Sequence, residues 1–294
     1  MSGPSPVILI ENNSSTYNDT DISGNGEGHH TKFQNGMILD KCCDPEWLEN
    51  TVERIRLSLL LNSKRPTVDR RFYHDTEFKI CGPLEDIIQS QLLRSGLYDD
   101  VDKLIVHCNK YLRILEYNRP GGGLSPHTDG CKVCEESHLS STHTLLLYLA
   151  NCQEGGETIL LTDDHYRHLN NLEKAKNKKK KNKKKHIDCD DDNISSERND
   201  VNESFPGWLM ETNGMMSLNN KLVDTPSMYD EMLVKYEENT HIINLNDTIF
   251  GGIAITPQKG RILLFPHHWP HAGASVLSVP KIMLRAEITI LYKN

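Results

Sequence analysis

The apolar positions of this chain follow two periods. From Asp44, the stretch "DPEWLENTVERIRLSLLL" places Trp47, Leu48, Val52, Ile55 and Leu59 at helical spacing. Asp44 suits the N-cap, and Pro45 suits the first helical position, where no amide donor is needed. A second helix is predicted over 83–97, with Ile87, Leu92 and Leu93 on one face and Gly96 at its end. After residue 103 the period drops to two. "KLIVHCNKYLRILEYN" predicts two short strands. In the second, Leu112, Ile114 and Glu116 face one way, and Tyr111, Arg113, Leu115 and Tyr117 the other. "STHTLLLYLAN" (141–151) is a continuous apolar run, as in a strand buried on both faces. "GGETILL" (155–161), "GGIAITPQKG", "GRILLF" (260–265) and "KIMLRAEITILY" (281–292) predict further strands joined by glycine turns. Helices first and short strands after predict a mainly β fold, a jelly-roll or sandwich carrying helices on one face.

The pattern lapses in two places. Residues 1–36 are rich in Ser, Asn, Thr and Gly and read as a disordered tail, because they offer too little apolar surface to offset ordering entropy. An insert at about 164–205 holds a lysine run (174–185) followed by an acidic block, a composition that cannot pack. Residues 206–250 carry scattered apolar side chains and predict a short helix near 228–237. These lapses explain why only 37% of the chain is hydrophobic. What remains, about 200–230 residues, is enough for one domain with a sizeable core.

Charge and cysteine narrow the picture. The net charge of −8 argues against a general nucleic-acid binder, although the lysine run reads as a weak nuclear-import or nucleic-acid signal. No run is long and apolar enough for a membrane span, and "VILI" is too short for a signal-peptide core. The expectation is an intracellular protein, cytoplasmic or nuclear. The eight cysteines lack disulfide spacing, and the lone C-x-x-C at 131–134 lacks the partners of a zinc site.

Candidate chemistry centres on "SPHTDG" (125–130). On a strand end, His127 and Asp129 share one face. A third ligand would complete a two-histidine, one-carboxylate set with positions left open. His267, His268 and His271 in "FPHHWPHAGASV" are the candidates. His271 is favoured, since the Ala-Gly after it lets the backbone approach closely. His267 and His268 read as loop residues, and His138 and His143 as non-ligands. In "KIMLRAEITILY", Ile282, Leu284, Ala286, Ile288 and Ile290 line one face. Lys281, Met283, Arg285, Glu287 and Thr289 line the other. Two cations on a face turned inward would need an anionic partner.

Together, "LRILEYNRPGGGLSPHTDG", "HTLLLYLANCQEGGETILL" and "KGRILLFPHHWPHAGASVLSVPKIMLRAEITILY" resemble the catalytic domain of prolyl-4-hydroxylase-like Fe(II)/2-oxoglutarate dioxygenases, over roughly 104–163 and 252–292. The resemblance implies a double-stranded β-helix core within a domain spanning 37–294. It implies His127, Asp129 and His271 as iron ligands. It also implies 2-oxoglutarate as cosubstrate, anchored by Lys281 or Arg285, with Tyr148 on its far carboxylate, Tyr117 lining the iron pocket and Thr144 on the same face as Tyr148. Fe(II), O₂ and ascorbate follow as cofactors, with succinate and CO₂ as products. The implied substrate is a protein or peptide, such as a prolyl residue, or a small molecule. An oxidative demethylase of nucleic acid or protein, or an inactive jelly-roll binding module, are the alternatives.

Overall fold

The computed structural model describes residues 6–10, 30–32, 34–56, 59–61, 68–134, 136–163, 166–167, 171, 242–244 and 252–293. The lysine run, the helix expected near 228–237 and nearly all of 164–250 lie outside them. In chain order the elements are β1 (Val7–Ile10), β2 (His30–Lys32), β3 (Gly36–Leu39), α1 (Pro45–Arg56), β4 (Leu59–Leu61), β5 (Asp69–His74) and α2 (Cys81–Arg94). Then follow β6 (Leu104–Cys108), β7 (Tyr111–Tyr117), β8 (Leu124–His127), β9 (His143–Tyr148) and β10 (Thr158–Leu161). The last are β11 (Ile242–Asn244), β12 (Gly252–Ile255), β13 (Ile262–Pro266), β14 (His271–Gly273) and β15 (Lys281–Lys293).

The helices begin where local chemistry starts them. The Asp44 carboxylate accepts the Trp47 amide at 2.9 Å, so α1 is capped as its sequence predicts. The Asp75 carboxylate accepts three amides, those of Lys79, Ile80 and Cys81, at 2.7–3.0 Å, and this starts α2 earlier than residue 83. Gly96, at φ 72°, follows the helix end.

The strands form two sheets. The larger runs β11-β1-β3-β13-β9-β15-β7-β5-β4, with β2 and β6 also on β15; the smaller runs β12-β10-β14-β8. Every pairing is antiparallel except β1 with β11. The fold is therefore mainly β with N-terminal helices. Alternation along each strand of the large sheet divides the core in two. Leu112, Ile114, Leu145, Leu147, Leu284 and Ala286 pack with Leu48, Ile55, Leu84, Ile88 and Leu92 of the helices. Leu115, Leu146, Leu263, Phe265 and Met283 pack with Leu160, Ile253 and Ile255 of the small sheet. The second face is the one that carries Lys281, Arg285 and Glu287.

The tail reading of 1–36 needs correction. Val7–Ile10 is a strand between β3 and β11, and Val7, Ile8 and Leu9 are buried. Four consecutive apolar residues supply enough burial to offset ordering, although their surroundings are polar. His30–Lys32 pairs with β15, and Gly36 begins β3. Leu9→Ala should therefore cost about 2–5 kcal/mol in urea denaturation. No change in midpoint would mean that β1 is not part of the folded core.

Candidate metal centre

Strand register assembles the site. β14 runs antiparallel to β8, with His271 directly opposite His127, so their ring centroids lie 4.2 Å apart. Asp129 lies two residues past the end of β8, and its amide donates to the His267 carbonyl at 2.9 Å. Among the described residues, His127, Asp129 and His271 form the one group of three metal-ligating side chains, with ligand atoms all within 4.8 Å of one another.

The hydrogen bonds fix which nitrogens are available. His127 Nδ1 lies 2.9 Å from the Ser125 carbonyl, and His271 Nδ1 lies 3.0 Å from the Trp269 carbonyl. A carbonyl only accepts, so each Nδ1 carries a proton and Nε2 is the nitrogen each ring turns toward the centre. Those Nε2 atoms face the Asp129 carboxylate at 3.8 and 3.4 Å. Burial lowers the His271 pKa to about 4, with His127 crowding adding to it, so the ring is neutral at pH 7. Burial pushes the Asp129 carboxyl up, but His271, the Arg285 guanidinium and the Thr144 hydroxyl outweigh it and hold the group below the usual range. Two imidazole Nε2 atoms, one of them on a ring held neutral, and a carboxylate thus converge on one point. A divalent cation fits that donor set, and three protein donors leave positions open.

A hydrogen-bonded shell holds Asp129. The Thr144 hydroxyl donates to Oδ2 at 2.6 Å, and Arg285 Nη2 contacts Oδ1 at 2.9 Å and Glu287 Oε1 at 3.1 Å. Because the single Thr144 proton goes to Asp129, His267 Nδ1, 3.0 Å away, donates to the Thr144 oxygen. His267 Nε2 then accepts from the Ser141 hydroxyl at 2.8 Å. His267 does lie in a turn past β13, as expected, but it is packed into this shell. Both its nitrogens are engaged, and its ring is buried, which lowers its pKa to about 4. His268 is exposed and His138 lies on an exposed turn. His143 Nε2 lies 3.2 Å from the Asn35 carbonyl, away from the cluster.

The five residues expected to hold 2-oxoglutarate separate into two groups. Thr144 and Arg285 sit on Asp129, as described. Lys281, Tyr117 and Tyr148 lie together farther along the same face. Lys281 is opposite Tyr117 in the β15–β7 ladder, with Nζ 5.0 Å from the Tyr117 ring centroid. The Tyr148 hydroxyl donates to Thr158 Oγ1 at 2.7 Å. Lys281 is 1% exposed and, among the described residues, forms no hydrogen bond or ion pair. Burial lowers its pKa to about 8, with Cys152 and Glu157 acting in the other direction. "GGET", read as a turn without chemistry, makes room for this side chain. Gly156 has φ 74°, and a Cβ there would stand 3.1 Å from Lys281 Cδ. The period-two pattern contained no signal for Thr158, Gly156 or His267, whose partners lie on other elements of the fold.

The C-x-x-C does not close on itself. Lys132–Cys134 pairs with Leu139–Ser141 as an extended arm. Residues three apart on such an arm stand about 10 Å apart, beyond the span of a disulfide. Cys134 Sγ instead lies 3.4 Å from His107 Nε2, and His107 Nδ1 lies 3.3 Å from Glu85 Oε1.

No protein-family model matches the chain, and no curated protein does. Solved structures resemble it distantly. A viral collagen prolyl hydroxylase from Paramecium bursaria Chlorella virus-1, in complex with 2-oxoglutarate, is 12% identical over 86% of this chain and 94% of that chain, with a TM-score of 0.39. HygX from Streptomyces hygroscopicus, with nickel and 2-oxoglutarate bound, is 9% identical over 86% and 82%, TM-score 0.42. A prolyl hydroxylase from Trichoplax adhaerens, in complex with a hypoxia-inducible factor peptide, is 9% identical over 86% and 83%, TM-score 0.43. Likeness this distant leaves the residues themselves to carry the functional reading. Among the described residues, no helix is long and apolar enough to cross a membrane.

Proposed function

We propose that the protein is an Fe(II)- and 2-oxoglutarate-dependent dioxygenase that hydroxylates a peptidyl residue. One observation carries this reading: a two-histidine, one-carboxylate cluster and a buried lysine with no carboxylate partner among the described residues lie between the same two sheets. Binding an anion would offset the burial of such a lysine, and a dicarboxylate that also reaches a metal is suited to supply it.

His127, Asp129 and His271 would hold Fe(II) on one side. The bound metal, with 2-oxoglutarate and O₂, supplies the oxidative decarboxylation that gives succinate and CO₂ and the oxidising power for hydroxylation. The remaining work belongs to the protein. Lys281 binds the far carboxylate of the cosubstrate. Thr158, which accepts from Tyr148, keeps its own proton for the same anion. Thr144 and Arg285 fix the orientation of Asp129. Arg285 is already paired with two carboxylates, so Lys281 is the anchor of the two expected cations. That also disfavours a demethylase reading that needs both cations on the cosubstrate. The fold is a double-stranded β-helix in this reading, with the small sheet closing over the site.

The test is succinate release from purified protein supplied with Fe(II), ascorbate and 2-oxoglutarate. Slow turnover is expected even without substrate. Folded, iron-loaded protein that consumes no 2-oxoglutarate, with or without added peptide, would refute the proposal.

A further inference from the structure

The site-bearing face of the large sheet continues past Arg285 onto two more strands. Arg285 is directly opposite Arg113 in the β15–β7 ladder, and Arg113 is directly opposite Phe72 in the β7–β5 ladder. The three form one cross-strand row that begins beside Asp129 and ends at the surface. Along it lies a groove of about 290 Å³, lined by Phe72, Tyr111, Arg113, Lys132, Val133 and Arg285 among others.

Two properties set this groove apart. Its rim is apolar and exposed: Phe72 is 45%, Tyr111 53% and Val133 61% accessible. These are three of the seven large hydrophobics that the described residues leave exposed, so the clustering is not the scatter expected of an ordinary surface. Its charge is also unbalanced. Arg285 is engaged with Asp129 and Glu287. Arg113, half-buried, has its guanidinium 5.5 Å over the Phe72 ring and, among the described residues, no hydrogen bond or ion pair. Crowding by Arg285 adds to burial in lowering the Arg113 pKa. Lys132 adds a further exposed cation. Arg113, Lys132 and Arg285 thus outnumber Glu287 along the groove lining, on a chain whose net charge is −8.

We infer that this groove binds an acidic peptide segment, with Arg113 and Lys132 taking an Asp or Glu side chain and Phe72, Tyr111 and Val133 taking an adjacent apolar one. The inference rests on the proposed hydroxylase reading and names its substrate class. A guanidinium already stacked on an aromatic ring is preorganised to receive a carboxylate. Arg285 links the groove to Asp129, so a segment held there presents its neighbouring residues to the metal centre. A nucleic acid fits less well, because a phosphate recurs at every nucleotide whereas Arg113 and Lys132 suit one anionic group beside the apolar rim.

The test is fluorescence anisotropy with the full chain and three probes: a fluorescein-labelled octapeptide with leucine between glutamates, its lysine counterpart, and a labelled uridine hexanucleotide. The glutamate peptide should bind about tenfold or more tighter than the lysine peptide, and the preference should weaken with salt. Arg113→Glu should abolish or reverse the preference, and Phe72→Ala should weaken the glutamate peptide several-fold. Lys132→Glu, on an exposed arm, should reduce the preference without threatening the fold. Equal binding of both peptides, a preference unchanged in Arg113→Glu and Lys132→Glu, or tighter binding of the hexanucleotide would each overturn the inference. So would acidic-peptide binding that appears only once the chain's own acidic residues 188–192 are changed to asparagine, since that segment would then be the occupant. The measurement uses neither iron nor 2-oxoglutarate. A protein that releases succinate but shows no preference loses only this inference; one that shows the preference but never releases succinate loses only the hydroxylase reading.

Discussion

His271→Ala should reduce succinate release to background and remove metal binding with it. The imidazole is one of three donors, and its Nδ1 is tied to the Trp269 carbonyl so that Nε2 faces Asp129. Nothing else among the described residues can replace it, since both nitrogens of His267 are occupied by Thr144 and Ser141. Thr144→Val gives the graded comparison. It removes the hydroxyl that holds Asp129 while leaving every donor in place, so metal affinity should fall about 10- to 100-fold. Cobalt(II) titration followed by absorbance reads both effects, and circular dichroism checks the fold. Retention of metal and turnover in His271→Ala, with loss in His267→Ala, would mean that the third ligand is His267.

Lys281→Met should have two effects of opposite sign. Unbound, the wild-type chain keeps a buried ammonium with no carboxylate partner among the described residues, and its folded pKa of about 8 against an ordinary 10.5 sets the cost. Replacement by a side chain of similar shape should raise stability by on the order of 1–3 kcal/mol. The pH dependence has a definite direction. Between about pH 8 and 10.5 the unfolded chain binds a proton that the folded chain has released, so wild-type stability rises with pH across that window. Below it both states are protonated and the full cost remains. The methionine variant should lack this slope. It should also lose the anchor for the far carboxylate, raising the 2-oxoglutarate KM about a hundredfold, as expected for a charge-assisted contact worth ~3 kcal/mol. A variant that is less stable than wild type and turns over 2-oxoglutarate normally would show that Lys281 is structural.

Much of this was legible in the residues. The faces of β15 were, because alternation states directly which side chains share a side. His127, Asp129 and His271 were, because a strand end followed by a close-packed Ala-Gly constrains geometry locally. The tail reading failed at Val7–Ile10 because four apolar residues in a polar context acquire meaning only from β3 and β11, about thirty and over two hundred residues away. The short, charged strand Asp69–His74 was missed for a similar reason: its order comes from its neighbour β7, not from its own pattern. Arg285 was placed on the correct face, but its contacts with Asp129 and Glu287 were not legible, since alternation fixes the side of a sheet but not the distance along it.

The thirteen-residue strand Lys281–Lys293 has a consequence for how this chain can change. Its odd positions from Lys281 to Glu287 share the face that bears the metal centre, and its even positions meet the helices. Exchanging one side chain alters one contact. Deleting one residue between Lys281 and Glu287 would turn every side chain on one flank of the deletion to the opposite face, sending either cations into oil or isoleucines into the pocket. Descendants of this chain can therefore vary their substrate rim by substitution, and gain or lose length in the connections, while this one strand keeps its residue count.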